Sequence, residues 1–351
     1  MLARTRVVGL DIGTSAVRAV EIELSPGSRP GGTVHKVAEV PLPPGVVRDA
    51  EVVEKGPVSA AVKKLWSADG ISGRRVVMGV GNQRVVVRNM SMPRMPLGQL
   101  RQAAVYQAQE TLPMSVDEAL TDFLPVREYD DAGTPMVTGL FVAAGKDTVS
   151  LNVLAAEGAG VSPEIIDLNA FALLRSAALE HGGRTVVCVD IGARVTNVVV
   201  AHQGQPLLVR VIAAGGQDTT DAIARTLKVT DAEAEGIKRQ IGVGSSGPQG
   251  FEEAARSIQS TVRNIVEPVV STLAYYTSQV RGPQIELLVL TGGGSHLPGL
   301  GQYLSSASRL PAAMASPFSA LQWAKGASRD RFAERESSFA VAIGLALGGV
   351  A

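Results

Sequence analysis

The chain has 351 residues, 33 of them basic and 33 acidic, so its formal net charge at pH 7 is zero. That balance argues against a nucleic-acid binder, which needs a basic surplus to displace counterions from phosphate. Hydrophobic residues make up 45%, which excludes wholesale disorder and is enough for cores in two domains or two lobes.

The single cysteine, Cys188, excludes an intrachain disulfide and a cysteine-built zinc site and fits a reducing compartment. His35, His181, His202 and His296 show no metal-ligand spacing. The start, from Met1, runs into a strand at Val7 without the apolar core of a signal peptide. The longest uncharged apolar stretch at an end, Ser337–Ala351, is shorter than the ~20 residues a membrane span needs. The expectation is a cytoplasmic protein with no direct membrane insertion.

In chain order, residues 7–20 (VVGLDIGTSAVRAV) predict a strand, an Asp-x-Gly turn and a second strand. Residues 25–33 predict a hairpin tip, and Trp66, like Trp323, reads as a packing residue. Leu97, Leu100, Ala104 and Ala108 give 97–111 a helical rhythm; Val137–Ala144 reads as a strand and 129–133 as a hairpin loop before it. Asp167 sits in a strand-to-helix segment, where a helix N-cap is the commoner role.

Residues 186–199 (VVCVDIGARVTNVV) then repeat the first hairpin about half a chain length later: Val7, Val8, Asp11, Ile12, Gly13 and Val20 recur as Val186, Val187, Asp190, Ile191, Gly192 and Val199. A supersecondary unit repeated at that spacing suggests two related lobes. The chemistry follows from the residue types. N–H groups of Gly13 and Gly192 and of Ala193 can form anion nests, Thr14 and Ser15 add hydroxyls, and Asp11 and Asp190 can hold a hydrated Mg²⁺ that neutralises phosphate.

Gly215 and Gly216 precede a helix-like stretch at 220–227, and Thr230 with Glu233 has the spacing of a capping box. Glu235 and Lys238 lie three apart on that helix, either as a solvated pair or as groups for a ribose and a base. Residues 244–250 read as a loop, and 251–276 as a helix kinked or restarted at Pro268. A strand at 285–290 enters Gly292, Gly293 and Gly294, with a helix after Pro298; such a loop lets backbone lie against a base or an α-phosphate. Residues 307–331 are hard to assign.

The two turns and the triple glycine, in this order, resemble the actin/Hsp70/sugar-kinase superfamily, whose two-lobed α/β (ribonuclease H-like) fold closes on Mg-ATP. Within it, Val85–Arg88 leading to Met92-Pro93, the helix before Leu112-Pro113, Val142–Lys146, Gly160–Pro163, Ile166–Leu168, 215–223 and 338–348 resemble the PilM family of type IV pilus assembly, and more distantly the FtsA division proteins. The resemblance implies a first lobe at 1–180 with an inserted α+β subdomain, called 1C, at about 93–149. The second lobe would be 181–351, its final helix, 338–348, packing near the lobe junction. It assigns ATP and Mg as ligands through the glycine, Asp, Glu and Lys positions named above. It also implies docking on the cytoplasmic N-terminal peptide of a PilN-like membrane protein, in a groove beside 1C for which Val87, Met90 and Met95 are candidates; other platform partners and self-assembly are open. FtsA-like members carry a C-terminal amphipathic helix that this chain's Gly348–Ala351 ending lacks. An FtsA-like filament former and a sugar-kinase-type phosphotransferase, with Asp167 as catalytic base, are the alternatives. The second turn departs from stronger superfamily members at Ala193-Arg194, and the direction of Arg18 is open, so at most slow ATP turnover is expected.

Overall fold

The computed structural model describes residues 5–24, 31–68, 70–178, 181–245, 247, 249–280, 282–327 and 329–349. In chain order the strands and helices are β1 Thr5–Ile12, β2 Ala16–Leu24, β3 Gly32–Pro41, β4 Val47–Arg48, β5 Glu51–Val52, α1 Lys55–Ser67, β6 Arg75–Val80 and β7 Val86–Pro93. There follow α2 Leu97–Ala108, β8 Ala119–Asp131, β9 Thr134–Gly145, α3 Lys146–Glu157, β10 Pro163–Leu168 and α4 Asn169–Ser176. The second half holds β11 Thr185–Ile191, β12 Thr196–His202, β13 Gln205–Ile212, α5 Gly216–Leu227, α6 Asp231–Ile241, α7 Glu252–Tyr275, β14 Leu287–Thr291, α8 Leu300–Ser308, β15 Ala312–Met314, β16 Gln322–Trp323 and α9 Ala340–Leu347.

The repeat seen in sequence is a repeat of topology. One sheet runs β10-β6-β1-β2-β3-β16 and the other β13-β12-β11-β14-β15. In each, the hairpin strand is antiparallel to its neighbour and parallel to the strand after the crossover: β1 to β2 and β6, β11 to β12 and β14. The hairpin strands read as near-continuous apolar runs because both faces are covered. Val8, Leu10 and Ile12 point to the side of α1 and α3, and Val187, Val189 and Ile191 to the side of α5–α8. The alternate residues Val7, Val186 and Cys188 meet α4 and α9, which lie side by side between the two sheets. The result is five layers, helix–sheet–helix–sheet–helix, and this is the actin-like two-lobed α/β architecture expected.

Several elements differ in extent from the expectation. The helix expected at 220–227 starts at Gly216, because the Asp218 carboxylate accepts from the Gly215 N–H at 2.8 Å and turns the double glycine into a helix start. α7 passes through Pro268 as one helix; burial of Ile258, Val262, Ile265, Val266 and Val269 along one face outweighs the lost backbone bond. The insert is a three-stranded sheet, β7-β9-β8, with α2 on one face. It takes in residues 86–93, ahead of the expected start at about 93, because β7 pairs with β9 from Val86↔Ala143 onward. Leu97 faces solvent, while Leu100, Ala104 and Ala108 are buried. Residues 25–30 of the expected hairpin tip, 246 and 248 of the expected loop, 328, and 350–351 of the ending lie outside the described residues.

Cys188 has no exposed surface, and burial, with the neighbouring Asp190 charge adding to it, pushes its thiol up to about 12. The native chain should therefore resist a thiol-specific reagent such as dithionitrobenzoate at pH 8 and react with one equivalent only after denaturation. Fast native labelling would mean that the core between the sheets opens readily.

Candidate functional site

Asp11 and Asp190 end the two central strands and are nearly buried, 9% and 8% exposed. Each faces a partner across its own hairpin, Arg18 for Asp11 and Asn197 for Asp190, at matching places of the repeat. The turns close alike: the Gly13 N–H donates to the Ala16 carbonyl at 3.0 Å and the Gly192 N–H to that of Val195 at 2.9 Å. Thr14 is half-buried and Ser15 exposed at the mouth.

Burial is the main reason the Asp11 carboxyl is pushed up to about 6; Arg18 pulls it down, and the charges of Asp190 and Glu39 push it further up. The Asp190 carboxyl is also raised by burial, against hydrogen bonds from Thr291 Oγ1 (2.9 Å) and Asn197 Nδ2 (3.3 Å) and the charge of Arg18. The two carboxyls are thus within electrostatic reach of each other, and one guanidinium acts on both. Arg18 is held by Glu39, Nε to Oε2 at 2.8 Å, and Glu39 in turn receives Arg335 at 2.8 Å.

The triple glycine closes over Asp190. Gly292 has φ +83°, and a Cβ there would stand 2.4 Å from the Ile191 carbonyl oxygen and 2.7 Å from Asp190 Oδ1, so only glycine fits. A Cβ on Gly216 would lie 3.3 Å from Gly294 Cα. Gly192, Ala193, Gly215, Gly216, Gly292, Gly293 and Gly294 therefore converge on one cradle, with the Gly216 N–H donating to the Gly192 carbonyl at 2.9 Å and that of Gln217 to Ala193 at 2.8 Å. Lys238 Nζ reaches the Gly216 carbonyl (3.1 Å), Thr220 Oγ1 (2.9 Å) and Glu235 Oε2 (2.5 Å). Its amine holds the glycine loop in place. Burial opposes the Glu235 charge, but hydrogen bonds from Lys238 and Thr220 outweigh it and keep the carboxyl low. Arg194, the departure noted in the second turn, clamps Asp218 and Asp221 of α5 at 2.6 Å each.

Other candidates go elsewhere. The Asp167 carboxylate accepts from the Leu168 N–H at 2.7 Å and pairs with Arg175, and the N-cap of α4 is Leu168. Asp167 lines a groove of about 570 Å³ bounded by the insert (Leu124, Val126), the α4 region (Phe171, Arg175) and Pro206 of the second lobe. It is not grouped with Asp11 and Asp190. Met90 is buried in the insert's core and Val87 packs on the core between the sheets; Met95 lines a separate surface groove of about 520 Å³ near Leu97 and Pro125. Sequence reasoning left Arg18 undirected and missed Asn197 and Asn169. The Oδ1 atoms of both asparagines are buried without a hydrogen-bond partner, and Asn169 packs over Gly79 and Gly81 at the end of β6, beside β1. Matching Arg18 to Asn197 in the repeat was the available signal.

The residues fit a Mg-nucleotide. Among the described residues no three His, Cys, Asp or Glu side chains converge as a metal site, but Mg²⁺ needs only one or two carboxylates beside phosphate oxygens and water. At Gly215, Gly292 and Gly294 the place of a Cβ is taken by this chain's own backbone, which draws the loops together, whereas at Gly293 the nearest atom is Ser338 Oγ at 3.9 Å; the orphaned Asn197 Oδ1 lies beside Asp190.

Comparisons with known proteins agree on the architecture. The family described as type IV pilus assembly protein PilM matches residues 9–350. The solved PilM–PilN type IV pilus biogenesis complex superposes with a TM-score of 0.84 at 29% identity, over 99% of this chain and 100% of that one. The FtsA cell division protein of Bacillus subtilis is 24% identical over 84% of this chain and 74% of its own length. MreB5 of Spiroplasma citri bound to AMPPNP has a TM-score of 0.55 at 14% identity over 97% of this chain and 94% of its own, a likeness of fold.

Proposed function

Since the chain belongs to the PilM family of type IV pilus assembly proteins, we propose that it is an ATP-binding adaptor that docks on the cytoplasmic N-terminal tail of a PilN-type membrane protein. The observation that carries the nucleotide half is the pair of matched Asp-x-Gly turns facing each other across the lobes beneath the glycine cradle. Asp11 and Asp190 would hold a hydrated Mg²⁺, and Gly216 with Gly292–Gly294 the adenosine; the Gly13 and Gly192 N–H groups, expected to cradle phosphate, are engaged in closing their turns, which leaves the phosphates to the Thr14 and Ser15 hydroxyls and Arg18. Glu235, kept charged by Lys238 and Thr220, would be the carboxylate for a ribose hydroxyl. The Mg²⁺ accompanying a nucleotide would supply the positive charge that lets both buried carboxylates stay ionised. Asp167, the candidate catalytic base, is engaged by Arg175 and lines a different groove, which supports the reading that turnover is slow at most. The protein acts by holding a shape, a population shift between lobe arrangements.

The partner half rests on the groove of about 570 Å³. Leu124, Val126, Phe171 and Leu174 give it apolar walls, and its depth suits an extended peptide. Among the described residues no helix is long and apolar enough to cross a membrane, so a membrane partner's tail would supply the tether at the inner membrane. Isothermal titration tests both halves. Wild type should bind Mg-ATP, and Asp190→Ala should weaken it at least about tenfold, the size of a lost charge-assisted contact. Folded wild type that binds no nucleotide would leave a scaffold that keeps only the actin-like shape.

A further inference from the structure

Residues directly opposite each other on antiparallel strands share one face of the sheet, with Cβ atoms about 4.5–5.5 Å apart. On β2, Arg18 stands opposite Asp11 of β1 on one side and Glu39 of β3 on the other. The three side chains form one row, and the guanidinium has two carboxylates to choose between. It takes Glu39: Arg18 Nε donates to Glu39 Oε2 at 2.8 Å, and the guanidinium lies 5.9 Å from the centroid of the buried Phe339 ring. Among the described residues none donates a hydrogen bond to the Asp11 carboxylate, and Arg18 acts on it through its charge alone. The free end of the guanidinium is turned to the first Asp-x-Gly turn, its Nη1 standing 3.7 Å from where a Cβ on Gly13 would be. Beyond Glu39 the row continues to Arg335 of the Asp330–Phe339 segment, whose Nη1 donates to Glu39 Oε1 at 2.8 Å. Each oxygen of Glu39 thus holds one guanidinium. The matching row of the second lobe is Asp190, Asn197 and Val211. With no carboxylate on the third strand, Asn197 turns to the aspartate, Nδ2 to Oδ2 at 3.3 Å.

We propose that Glu39 is a positioning residue: it draws Arg18 off Asp11, so that the Asp11 carboxylate stays open to a divalent cation while the free end of the guanidinium stays at the Gly13 turn for phosphate. The inference rests on the reading of these turns as a Mg-nucleotide site. A competing carboxylate is needed because an arginine and an aspartate directly opposite each other pair by default. An Arg18–Asp11 pair would fill the carboxylate oxygens with guanidinium donors and put a positive charge where the cation must sit. Glu39 offers a second carboxylate at the same register, and the Phe339 face holds the guanidinium plane against it. Arg335, itself lying over the Phe332 ring at 5.8 Å, holds Glu39 from the side away from Asp11. The two aspartates then differ in state. Asp190 already accepts from Thr291 and Asn197, whereas Asp11 keeps its oxygens for a cation.

The test titrates the full chain with ADP, once in excess Mg²⁺ and once in EDTA, and follows the ratio of the two affinities. Melting curves without nucleotide establish that each variant is folded. Wild type should bind ADP at least about tenfold more tightly with Mg²⁺, the size of a charge-assisted contact. Glu39→Gln keeps the side chain's volume but not its charge, so Arg18 turns to Asp11 and the ratio should fall towards one; Glu39→Ala should act the same way. Removing the arginine as well, in Glu39→Gln/Arg18→Ala, frees Asp11 again. The ratio should return to about tenfold, although ADP affinity stays below wild type in both conditions. A merely structural Glu39 would leave the double variant no better than the single one. An unchanged ratio in folded Glu39→Gln, or no recovery in the double variant, overturns the inference while the nucleotide site stands. Wild type that binds ADP equally with and without Mg²⁺ overturns it too. Wild type that binds no nucleotide overturns the reading of the site, and the inference with it.

Discussion

Replacing Gly344 by alanine should lower the melting temperature by about 5 °C, and replacing it by valine should prevent folding. A Cβ at Gly344 would stand 1.8 Å from the Ala172 carbonyl oxygen and 2.4 Å from its carbon. The obstacle is backbone of α4, which cannot rotate away as a side chain does. Gly9 presents the same contact on the other side of α9: its Cβ would lie 1.9 Å from the Ala342 carbonyl oxygen and 2.6 Å from the Ala346 nitrogen. The layer between the sheets is thus built by backbone touching backbone, from β1 through α9 to α4. Overpacking in a core costs about 1–3 kcal/mol where side chains can adjust, and here it should reach or exceed the top of that range. At about 1–2 °C per kcal/mol in a chain of 351 residues, the shift is about 5 °C. Gly236→Ala is the internal control. It lies exposed within α6 with nothing within 4 Å of the added carbon, so it should raise stability by about 0.5–1 kcal/mol through helix propensity. If both substitutions shift melting equally, the close helix contact is not a feature of the folded chain. Gly9 is also two residues before Asp11, so Gly9→Ala should weaken nucleotide binding as well as folding.

The parts of this architecture that could be read from sequence are those in which local pattern and burial agree. The twin hairpins stood out because strands covered on both faces become uninterrupted apolar runs, and because Asp-x-Gly turns recur at their ends. The capping box at Thr230 and Glu233 formed as its spacing required. What escaped was decided by directions and by distant neighbours. Arg18 alternates with Val17 and Ala19 on a buried strand, and its hold by Glu39 within electrostatic reach of Asp11 and Asp190 depends on neighbours distant in sequence. β7 reads VVRNMSMP, half-exposed and polar for a strand, so its membership of the insert's sheet rests on pairing with β9, which lies far away in sequence. The groove is less legible still. Its walls come from three stretches near residues 124, 168 and 205, and no local pattern in any of them marks a ligand. Asp167 illustrates the hazard: a carboxylate after a strand suggests chemistry, but Arg175, two turns of helix onward, holds it.

Asp11→Asn should make the nucleotide-free protein more stable above pH 6 while removing its affinity for Mg-nucleotide. The Asp11 carboxyl rises from 3.8 to about 6, chiefly through burial. A carboxyl that holds its proton more tightly folded than unfolded makes the folded chain the better proton binder, so stability falls as pH rises between about 4 and about 6 and is level beyond. The total is about 3 kcal/mol at 1.36 kcal/mol per unit. The asparagine variant carries no such penalty. Its melting temperature should match wild type near pH 3.5, pull ahead through pH 6, and stay ahead by roughly 3–5 °C at pH 8. Other carboxylates, those in ion pairs, contribute with the opposite sign in both proteins and cancel in the difference, so the difference curve is the quantity to follow. A variant less stable than wild type at pH 8 would show that the charge is well accommodated without a cation, and the reading of Asp11 as a waiting Mg²⁺ ligand would fail. The expected result has a physical logic that extends to Asp190, whose carboxyl is raised by the same burial. Two buried like charges, only partly offset by Arg18, cost the empty protein stability that a bound cation would return.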